Sequence, residues 1–434
     1  MNFPLRISDN RRYLTYEDGT PFFYLGDTAW ELFHRLDREE ANFFLRTRAE
    51  QGFTVIQAAV LAEHGFALPN PYGDHPLLEN DPTRPNEAYF QHVDALVHRA
   101  AELGLTIGML PTWGDKWNKK WGEGPELFTP ANAHVYGLTL GKRYKDAPII
   151  WILGGDRLVE TEEHAEIIRA MAAGLTEGDG GRHLRTFHPP GGHTSSEYFH
   201  SDDWLDFNMY QSGHARDRDC YNLVAGDYAL KPTKPCMDAE PGYEDHPNGF
   251  KVENGYLDAY DVRKAAYWDL FAGAHGHTYG CHDIWQFLNT DNFPPVTSAR
   301  TPWREAIHLP GANQMQFARK LIESRPFLSR IPDRALLLSP PQAGGDHVEA
   351  TRGEDGAYAF VYIPSGKAVT VDLALLSGQT ITAHWFNPRT GAATSAGAFP
   401  QGRPQEFTPP AEGPDWVLTL DDQKHDFSTP GRLR

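Results

Sequence analysis

The feature that most limits how this chain can fold is a repeated order of predicted strand and predicted helix. It extends over roughly the first three quarters of the 434 residues. Short apolar runs alternate there with amphipathic segments of helical spacing. The predicted strands are residues 22–25, 53–61, 105–110, 149–153, 185–188, 205–210, 235–240 and 278–285. Eight strands separated by helices or long loops are the pattern of a (β/α)8 TIM barrel.

A doubly wound open sheet is the alternative fold with the same order of elements. That fold carries a glycine-rich turn after its first strand, whereas this chain has GDTAW at 26–30. Residues 4–20 predict a small N-terminal β-hairpin, because the EDG turn supplies the glycine that a tight turn needs. We therefore predict an α/β chain whose barrel is preceded by a hairpin.

The pattern changes after Pro326. From Arg334 onward the chain has short alternating segments separated by turn signals such as GEDG, PSG and NPRTG. The predicted strands are ALLLS, AYAFVYI, AVTVDLAL, TITAHWF and WVLTL. Such alternation indicates a small all-β sandwich domain. The predicted domains are therefore the barrel over 1–328 and the sandwich over 329–434.

The net charge and the aromatic content indicate which kind of molecule this protein binds. Forty Lys and Arg stand against 58 Asp and Glu, a net charge of −18. This argues against a nucleic acid or an anionic membrane as the main partner. The 11 Trp, 18 Tyr and 20 His suit a pocket that stacks on sugar rings and hydrogen-bonds their hydroxyls, so we expect a carbohydrate substrate.

The location is predicted from the N-terminal segment MNFPLRISDNRRYLTY, which lacks the apolar core of a signal peptide. No run approaches the length of a membrane span. We expect a cytoplasmic protein, unless a leader has been removed. The sequence makes no prediction of the oligomeric state.

Cofactor and metal motifs give no positive signal. The cysteines are scattered, without a CxxC pair, and indicate reduced thiols; they are Cys220, Cys236 and Cys281. A metal-dependent hydrolase using His275, His277 and His282 is an alternative, but that chemistry expects a His-x-His after the first strand. No G-x-x-x-x-G-K, G-x-S-x-G or H-E-x-x-H motif occurs. We predict no cofactor and no metal.

Two carboxylates stand out among the residues at the predicted strand ends, where a (β/α)8 barrel carries its chemistry. Asp156 follows the apolar run IIWILGG of strand four, and Glu240 ends PCMDAE of strand seven. Glycoside hydrolysis needs two carboxyl groups flanking one bond, one protonated and one charged. The structural alternatives are an N-cap or an ion pair with Arg157 for Asp156, and a salt bridge to a neighbouring loop for Glu240.

Further strand-end residues are predicted to bind the substrate by hydrogen bonding or ring stacking. They are Asp27, Trp30, Glu63, Trp113, Asp115, Lys116, Arg157, His188, Tyr210, Gln211, Tyr243, His277 and Trp285. Asp238 lies on the same strand face as Glu240 and is predicted either to support it or to be a polar residue of the barrel interior. Each aromatic residue, taken singly, is also compatible with a place in the core.

Several long and unusual strings resemble the apiosidase-like family of glycoside hydrolases, family 140. They include PFFYLGDTAWELFHRL, GMLPTWGDKWN, WILGGDR, WLDFNMYQSGH, DAEPGYE and GAHGHTYG. In the C-terminal part, WFNPRTG and FTPPAEGPDWVLTLD resemble a β-domain named for collagen binding in a collagenase. The resemblance covers essentially the whole chain.

This resemblance implies a barrel that cleaves apiose-containing glycans of the plant cell wall, such as side chains of rhamnogalacturonan II. It implies an acid/base Asp after strand four, which matches Asp156, and a nucleophilic Glu after strand seven, which matches Glu240. The predicted function is a retaining glycoside hydrolase that acts on pectin-type oligosaccharides and releases or cleaves at apiose. The alternative is a non-catalytic carbohydrate-binding protein on the same scaffold, which the presence of both carboxylates disfavours.

Overall fold

Eight parallel strands alternate with helices in the first part of the computed structural model, which describes residues 4–433. They are β1 (Tyr24–Thr28), β2 (Val55–Ala59), β3 (Thr106–Leu110), β4 (Ile149–Gly154), β5 (Arg185–His188), β6 (Asn208–Tyr210), β7 (Cys236–Asp238) and β8 (Gly276–Tyr279). Six of them pair in the order β8-β1-β2-β3-β4-β5, and β6 pairs with β7.

Single backbone hydrogen bonds connect these two groups of strands. The N–H of Asp206 donates to the carbonyl of Arg185 (2.9 Å), just before β6. The N–H of His275 donates to the carbonyl of Cys236 (3.0 Å), just before β8. The strands therefore close into a barrel, and their parallel register brings all the carboxyl ends to one face.

The helices cover the outside of the barrel. They are α1 (Leu32–Arg35), α2 (Arg38–Glu50), α3 (Glu87–Glu102), α4 (Pro130–Tyr144), α5 (Glu162–Asp179), α6 (Ser196–Phe199), α7 (Cys220–Ala229), α8 (Ala259–Ala272), α9 (His282–Trp285), α10 (Trp303–Ala306) and α11 (Pro310–Glu323). Capping boxes begin α2, α4 and α8 at Asp37, Thr129 and Asp258. No helix between residues 4 and 433 is long and apolar enough to cross a membrane.

A three-stranded antiparallel sheet closes the amino-terminal end of the barrel. Its strands are Leu5–Ile7, Leu14–Tyr16 and Pro21–Phe22. Leu5 and Phe22 pack in one buried cluster with Ile150 and Met209 of the barrel interior. Because this end is filled with apolar side chains, the carboxyl end is the one that remains open for a ligand.

The C-terminal part consists of antiparallel strands. They are β9 (Arg330–Pro332), β10 (Glu349–Gly353), β11 (Tyr358–Ile363), β12 (Val369–Asp372), β13 (Thr380–Phe386), β14 (Ala393–Pro400), β15 (Pro404–Phe407) and β16 (Trp416–Asp422). One sheet has the order β9-β10-β11-β16-β13-β14, and β12 pairs with β15. Val371, Ile381, Phe407 and Leu418 belong to the buried cluster of this part. The predicted fold class, a (β/α)8 barrel followed by a small all-β sandwich, is confirmed.

Helix α8 attaches this sheet to the barrel. The Arg263 guanidinium donates to both carboxylate oxygens of Asp415 (2.7 and 2.8 Å), and both side chains are buried. Next to this ion pair the ring of Tyr267 stacks on Tyr362, with centroids 5.0 Å apart. The interface thus combines apolar burial with a bidentate ion pair whose hydrogen bonds are satisfied.

Three predictions of local structure are wrong. The segment 278–285 is not one strand, since β8 ends at Tyr279 and α9 follows. Residues 302–324, which the sequence predicts as one helix, form two helices, because Pro310 has no N–H to continue a helix and instead begins the next one. ALLLS begins in a short 3-10 helix, whose cap is the Asp333 carboxylate accepting from the N–H of Ala335.

Candidate active site

A cavity of about 640 Å³ opens at the carboxyl end of the barrel strands. Its size lies within the range of about 300–1,000 Å³ that encloses ligands of drug-like size. Both predicted catalytic carboxylates line it, with six of the predicted substrate-binding residues. These residues are Trp30, Glu63, Trp113, Asp156, Gln211, Glu240, Tyr243 and Trp285.

Glu240 lies just after β7, buried between two imidazoles. Nε2 of His214 is 3.0 Å from its Oε1, and Nε2 of His188 is 3.1 Å from its Oε2. Burial alone would raise the pKa of Glu240, but the two histidines outweigh it and lower this pKa to about 2. The side chain is therefore a charged carboxylate at neutral pH.

Asp238 holds the backbone around Glu240. Its Oδ1 accepts from the N–H of Glu240 (3.0 Å) and from the N–H of Ser212 (3.4 Å). One buried carboxyl oxygen thus ties the loop after β7 to the loop after β6. This contact corresponds to the supporting role that was one of the two predictions for Asp238.

Asp156 ends a sharp turn after β4. Gly154, Gly155 and Asp156 have φ values of +99°, +100° and +56°, a region that glycine adopts freely and that Asp tolerates better than most residues with a side chain. Burial raises the pKa of Asp156 well above its ordinary range, and the nearby negative charge of Glu240 raises it further. The two cavity carboxyls are therefore shifted in opposite directions.

Arg157 fixes the orientation of Asp156. Its Nη1 donates to the carbonyl oxygen of Asp156 (2.8 Å) and to Oδ2 of the same residue (3.2 Å), and its Nη2 donates to Oε1 of Glu63 (2.5 Å). The guanidinium is completely buried. The ion pair that sequence reasoning weighed as an alternative to catalysis thus exists, and it holds the carboxyl in the cavity wall.

Gly155 is expected to be irreplaceable in this turn. A Cβ at this position would lie 2.7 Å from the backbone N of Gly114 and 3.0 Å from Cα of Trp113. Gly155→Ala should therefore cost about 1–2 kcal/mol for its backbone conformation and about 1–3 kcal/mol more for the collision. Urea unfolding measures this loss, and activity should fall with it because Asp156 is displaced.

Gly180→Ala is the matched control for that variant. Gly180 also has a positive φ, +70°, but nothing lies within 4 Å of a Cβ built on it. Gly180→Ala should therefore lower the free energy of unfolding only by the cost of the backbone conformation, about 1–2 kcal/mol. Equal losses of unfolding free energy in the two variants would contradict a steric role for Gly155.

The other seven predicted binding residues do not line the cavity. Two of them, Arg157 and His188, contact the cavity carboxylates from behind. The remaining five are Asp27, Asp115, Lys116, Tyr210 and His277, and each has a polar atom paired with a neighbouring side chain inside the protein. This corrects the inference that every polar residue near a strand end faces the substrate. Asp27, Tyr210 and His277 lie on strands, where successive side chains point in opposite directions, so half of them face the helix layer.

Two of these five residues contact the Asp269 carboxylate of α8. The hydroxyl of Tyr210 donates to its Oδ1 (2.8 Å), and Nδ1 of His277 lies 2.8 Å from its Oδ2. Asp115 accepts from Nζ of Lys116 (2.7 Å) and from the N–H of Gly124 (2.7 Å). These contacts stabilise the barrel wall and a loop, and they do not serve to bind a ligand.

Asp27 forms a completely buried ion pair with Arg48 of α2 (2.7 Å). Burial raises the pKa of Asp27 to about 6 although Arg48 opposes the shift. Arg48→Met should lower the free energy of unfolding by about 3–5 kcal/mol at pH 8, because it leaves an unpaired buried charge. The loss should be smaller at pH 5, since a carboxyl with a raised pKa is protonated there and the buried charge disappears.

Arg46→Met is the control for this prediction. Arg46 forms an exposed ion pair with Glu50 (3.8 Å) on the same helix, and such pairs contribute about 0–1 kcal/mol. Chemical denaturation at both pH values compares the two variants. A loss for Arg48→Met as small as that for Arg46→Met would show that the buried pair is not required.

Sequence reasoning did not select several residues that line the cavity. They are His64, Trp121, Arg218, His246, Phe250 and Val296. These residues lie on long loops beyond the strand ends, where hydrophobic periodicity gives no guidance. A detectable signal existed for Trp121 and Phe250, since each is a large ring in a glycine-containing polar segment that no predicted core requires.

The three histidines of the metal alternative bind separate partners. Nδ1 of His275 is 3.0 Å from the carbonyl oxygen of Cys236, His277 contacts Asp269, and Nε2 of His282 is 3.0 Å from the carbonyl oxygen of Thr297. Within residues 4–433, no group of three or more His, Cys, Asp or Glu side chains is placed to hold a metal ion.

Comparisons with known proteins identify the families that the two parts of the chain match. The family profile described as "Apiosidase-like, catalytic domain" matches residues 8–329, and the one described as "Putative collagen-binding domain of a collagenase" matches residues 331–421. These matches confirm the resemblance seen in the sequence. A search of curated proteins found no match.

Two solved structures are similar over nearly the whole chain. One, described as a glycoside hydrolase, is 35% identical with a TM-score of 0.90 and covers 98% of this chain and 98% of its own. The other is a glycoside hydrolase family 5 protein from Bacteroides vulgatus ATCC 8482. It is 33% identical with a TM-score of 0.90, covering 99% of this chain and 95% of its own.

Proposed function

We propose that this chain, which belongs to the apiosidase-like family of glycoside hydrolases, is a retaining enzyme with Asp156 as acid/base and Glu240 as nucleophile. One observation carries the proposal: a carboxyl with a strongly raised pKa and a carboxylate kept ionised by two imidazoles line the same cavity. Opposite pKa shifts of two carboxyl groups are what separates the acid from the nucleophile in such sites.

In the first step, Glu240 attacks the anomeric carbon while Asp156 donates its proton to the glycosidic oxygen. The bond between that carbon and oxygen breaks, and a glycosyl ester of Glu240 forms. His188 and His214 hold the carboxylate in position for the attack. Arg157 holds the acid through Oδ2 and the carbonyl oxygen of Asp156.

In the second step, a water molecule attacks the anomeric carbon and gives a proton to Asp156, while the bond between that carbon and the Glu240 oxygen breaks and restores the carboxylate. The formation of the ester removes the negative charge of Glu240, which is one of the causes that raise the pKa of Asp156. The pKa of Asp156 is therefore lower in the intermediate than in the free enzyme. The same carboxyl group is thus adapted to act first as an acid and then as a base.

We propose as substrate the apiose-containing oligosaccharides of plant cell-wall pectin. The family membership supports the sugar, and the rings of Trp30, Trp113 and Trp285 offer stacking faces in the cavity. Trp113 Nε1, Gln211 Oε1 and His214 Nδ1 are buried and have no hydrogen-bond partner among the described residues. All three residues line the cavity, which makes their unpaired polar atoms candidates for hydrogen bonds to sugar hydroxyls.

Product analysis tests the proposal. The wild type should release apiose, or an oligosaccharide ending at apiose, from rhamnogalacturonan II or from an aryl apioside. Proton NMR of the first product should show the same anomeric configuration as the substrate. An inverted first product would overturn the retaining mechanism. Glycan binding without any release would favour the carbohydrate-binding alternative, and the roles of Asp156 and Glu240 would be withdrawn.

A further inference from the structure

Trp121 is an exposed ring on the rim of the cavity. It is 63% exposed, the highest value among the exposed large hydrophobic side chains described, and it lines the cavity. Exposure of a single apolar residue is ordinary on a protein surface. The surroundings of this ring, however, are not those of an incidental surface residue.

The loop that carries Trp121 is held against the catalytic wall. A Cβ on the next residue, Gly122, would lie 2.5 Å from Nη2 of Arg157 and 2.4 Å from Cβ of Asp115, so only glycine allows this approach. Asp115, itself paired with Lys116, accepts from the N–H of Gly124 (2.7 Å). The residues predicted to bind substrate at 115 and 116 thus anchor this loop.

A second anchor joins the loop to the segment that follows β2. The Glu123 carboxylate accepts from the N–H of Gly65 (2.9 Å), and its other oxygen is 3.1 Å from Nδ1 of His64. The ring of Trp121 is therefore presented by a loop that is held at the three residues directly after it, rather than by a free one. A rigid position is what a stacking surface requires.

One face of the Trp121 ring is covered and the other is open. The guanidinium carbon of Arg157 lies 4.4 Å from the ring centroid, a cation–π contact. The same guanidinium donates to Asp156 and Glu63. The covered face is therefore linked to the proposed acid through one guanidinium. The other surface of the ring is open to solvent, on the rim of the cavity that Asp156 also lines.

The position of the acid defines the side of the cavity that the leaving group occupies. In the proposed mechanism, Asp156 gives its proton to the glycosidic oxygen, so the leaving sugar extends from that oxygen on the Asp156 side. We propose that Trp121 is the stacking platform of the leaving-group subsite and binds the apolar C–H face of a sugar ring there. This inference rests on the proposed function, because it uses Asp156 as the acid.

The test compares two substrates with the same glycone. One is a rhamnogalacturonan II oligosaccharide, whose leaving group is a sugar, and the other is apiosyl fluoride, whose leaving group has no ring. Trp121→Ala should lower kcat/KM for the oligosaccharide about tenfold, mainly through KM, because stacking is lost. It should leave apiosyl fluoride unchanged, and Trp121→Phe should restore most of the loss.

The matched control is Tyr72→Ala. Tyr72 is a half-exposed ring that also contacts an arginine, Arg38, but it is not among the residues that line the cavity. Tyr72→Ala should leave kcat and KM unchanged for both substrates. If Trp121→Ala lowers kcat/KM for apiosyl fluoride as much as for the oligosaccharide, the ring acts on the catalytic pair through Arg157. That result would overturn the proposal that Trp121 is a stacking platform.

A binding measurement separates this inference from the proposed function. Calorimetry with Glu240→Gln requires no turnover, and in that background Trp121→Ala should weaken oligosaccharide binding about tenfold while leaving the binding of apiose alone unchanged. Equal affinities with and without the ring, or the absence of binding in both proteins, would overturn the platform. Failure of the wild type to release any sugar would instead overturn the proposed function.

Discussion

Glu240→Gln is expected to lower kcat by about 10⁴-fold or more, because an amide does not form the covalent intermediate. The substitution conserves shape, and the glutamine oxygen still accepts a hydrogen bond from one of the two imidazoles that contact the native carboxylate. The variant should therefore remain folded. Steady-state kinetics on an aryl apioside measures the loss, and thermal unfolding shows that the fold is kept.

Glu197→Gln is the matched control for that loss. The Glu197 carboxylate also contacts a histidine, with Nδ1 of His193 at 2.7 Å, but this pair lies at the protein surface. The activity of Glu197→Gln should equal that of the wild type. Turnover of Glu240→Gln within tenfold of the wild type would remove Glu240 from the nucleophile role.

Asp156→Asn is expected to lower kcat by about 10²–10⁴-fold on glycans, whose sugar leaving groups need a proton. With apiosyl fluoride the first step needs no proton, so the glycosyl ester of Glu240 should form rapidly and then accumulate, because the base for water is missing. Mass spectrometry should detect protein that carries one added sugar. Added azide should release this sugar, since an anionic nucleophile does not need a general base.

The pH profile gives the same assignment independently. Asp156 must be protonated in the free enzyme and its pKa is raised, so kcat/KM should fall as the pH rises through that raised pKa. Glu240 must be ionised, and its pKa of about 2 places the corresponding acidic loss at very low pH. In Asp156→Asn the alkaline decrease should disappear, because the group that titrates is gone.

Asp146→Asn is the control for these measurements. Asp146 contacts Arg182 at 3.2 Å, the same separation as that between Asp156 and Arg157, but at an exposed site. It should keep both the wild-type rate and the wild-type profile. An alkaline decrease that persists unchanged in Asp156→Asn would exclude Asp156 as the titrating acid.

Much of the fold is predictable because it depends on local patterns. The alternation of strand and helix in the chain defines the barrel, and the change of period after Pro326 defines the sandwich. The loss of accuracy is also local: near Tyr279 a buried strand and a short helix have similar apolar composition, and at Pro310 the missing N–H divides one predicted helix into two. Element type was therefore more predictable than element boundaries.

The candidate catalytic pair is also visible in the sequence, as a carboxylate after each of two buried runs, at Asp156 and Glu240. Sequence position does not show which way a side chain points. Tyr210 turns to Asp269 of α8 and Asp27 turns to Arg48 of α2, although both lie at strand ends. Trp121 lines the cavity although its loop has no periodic pattern.

The opposite protonation states of the two carboxyls were decided only by the tertiary structure. The low pKa of Glu240 depends on His188 and on His214, which is 26 residues away in sequence. The raised pKa of Asp156 depends on its burial and on the charge of Glu240. The sequence alone determined the barrel and placed the two carboxylates, Asp156 and Glu240, at the ends of its strands. Electrostatic interactions fall off with distance and depend on burial, so only the folded arrangement determined which carboxyl holds the proton.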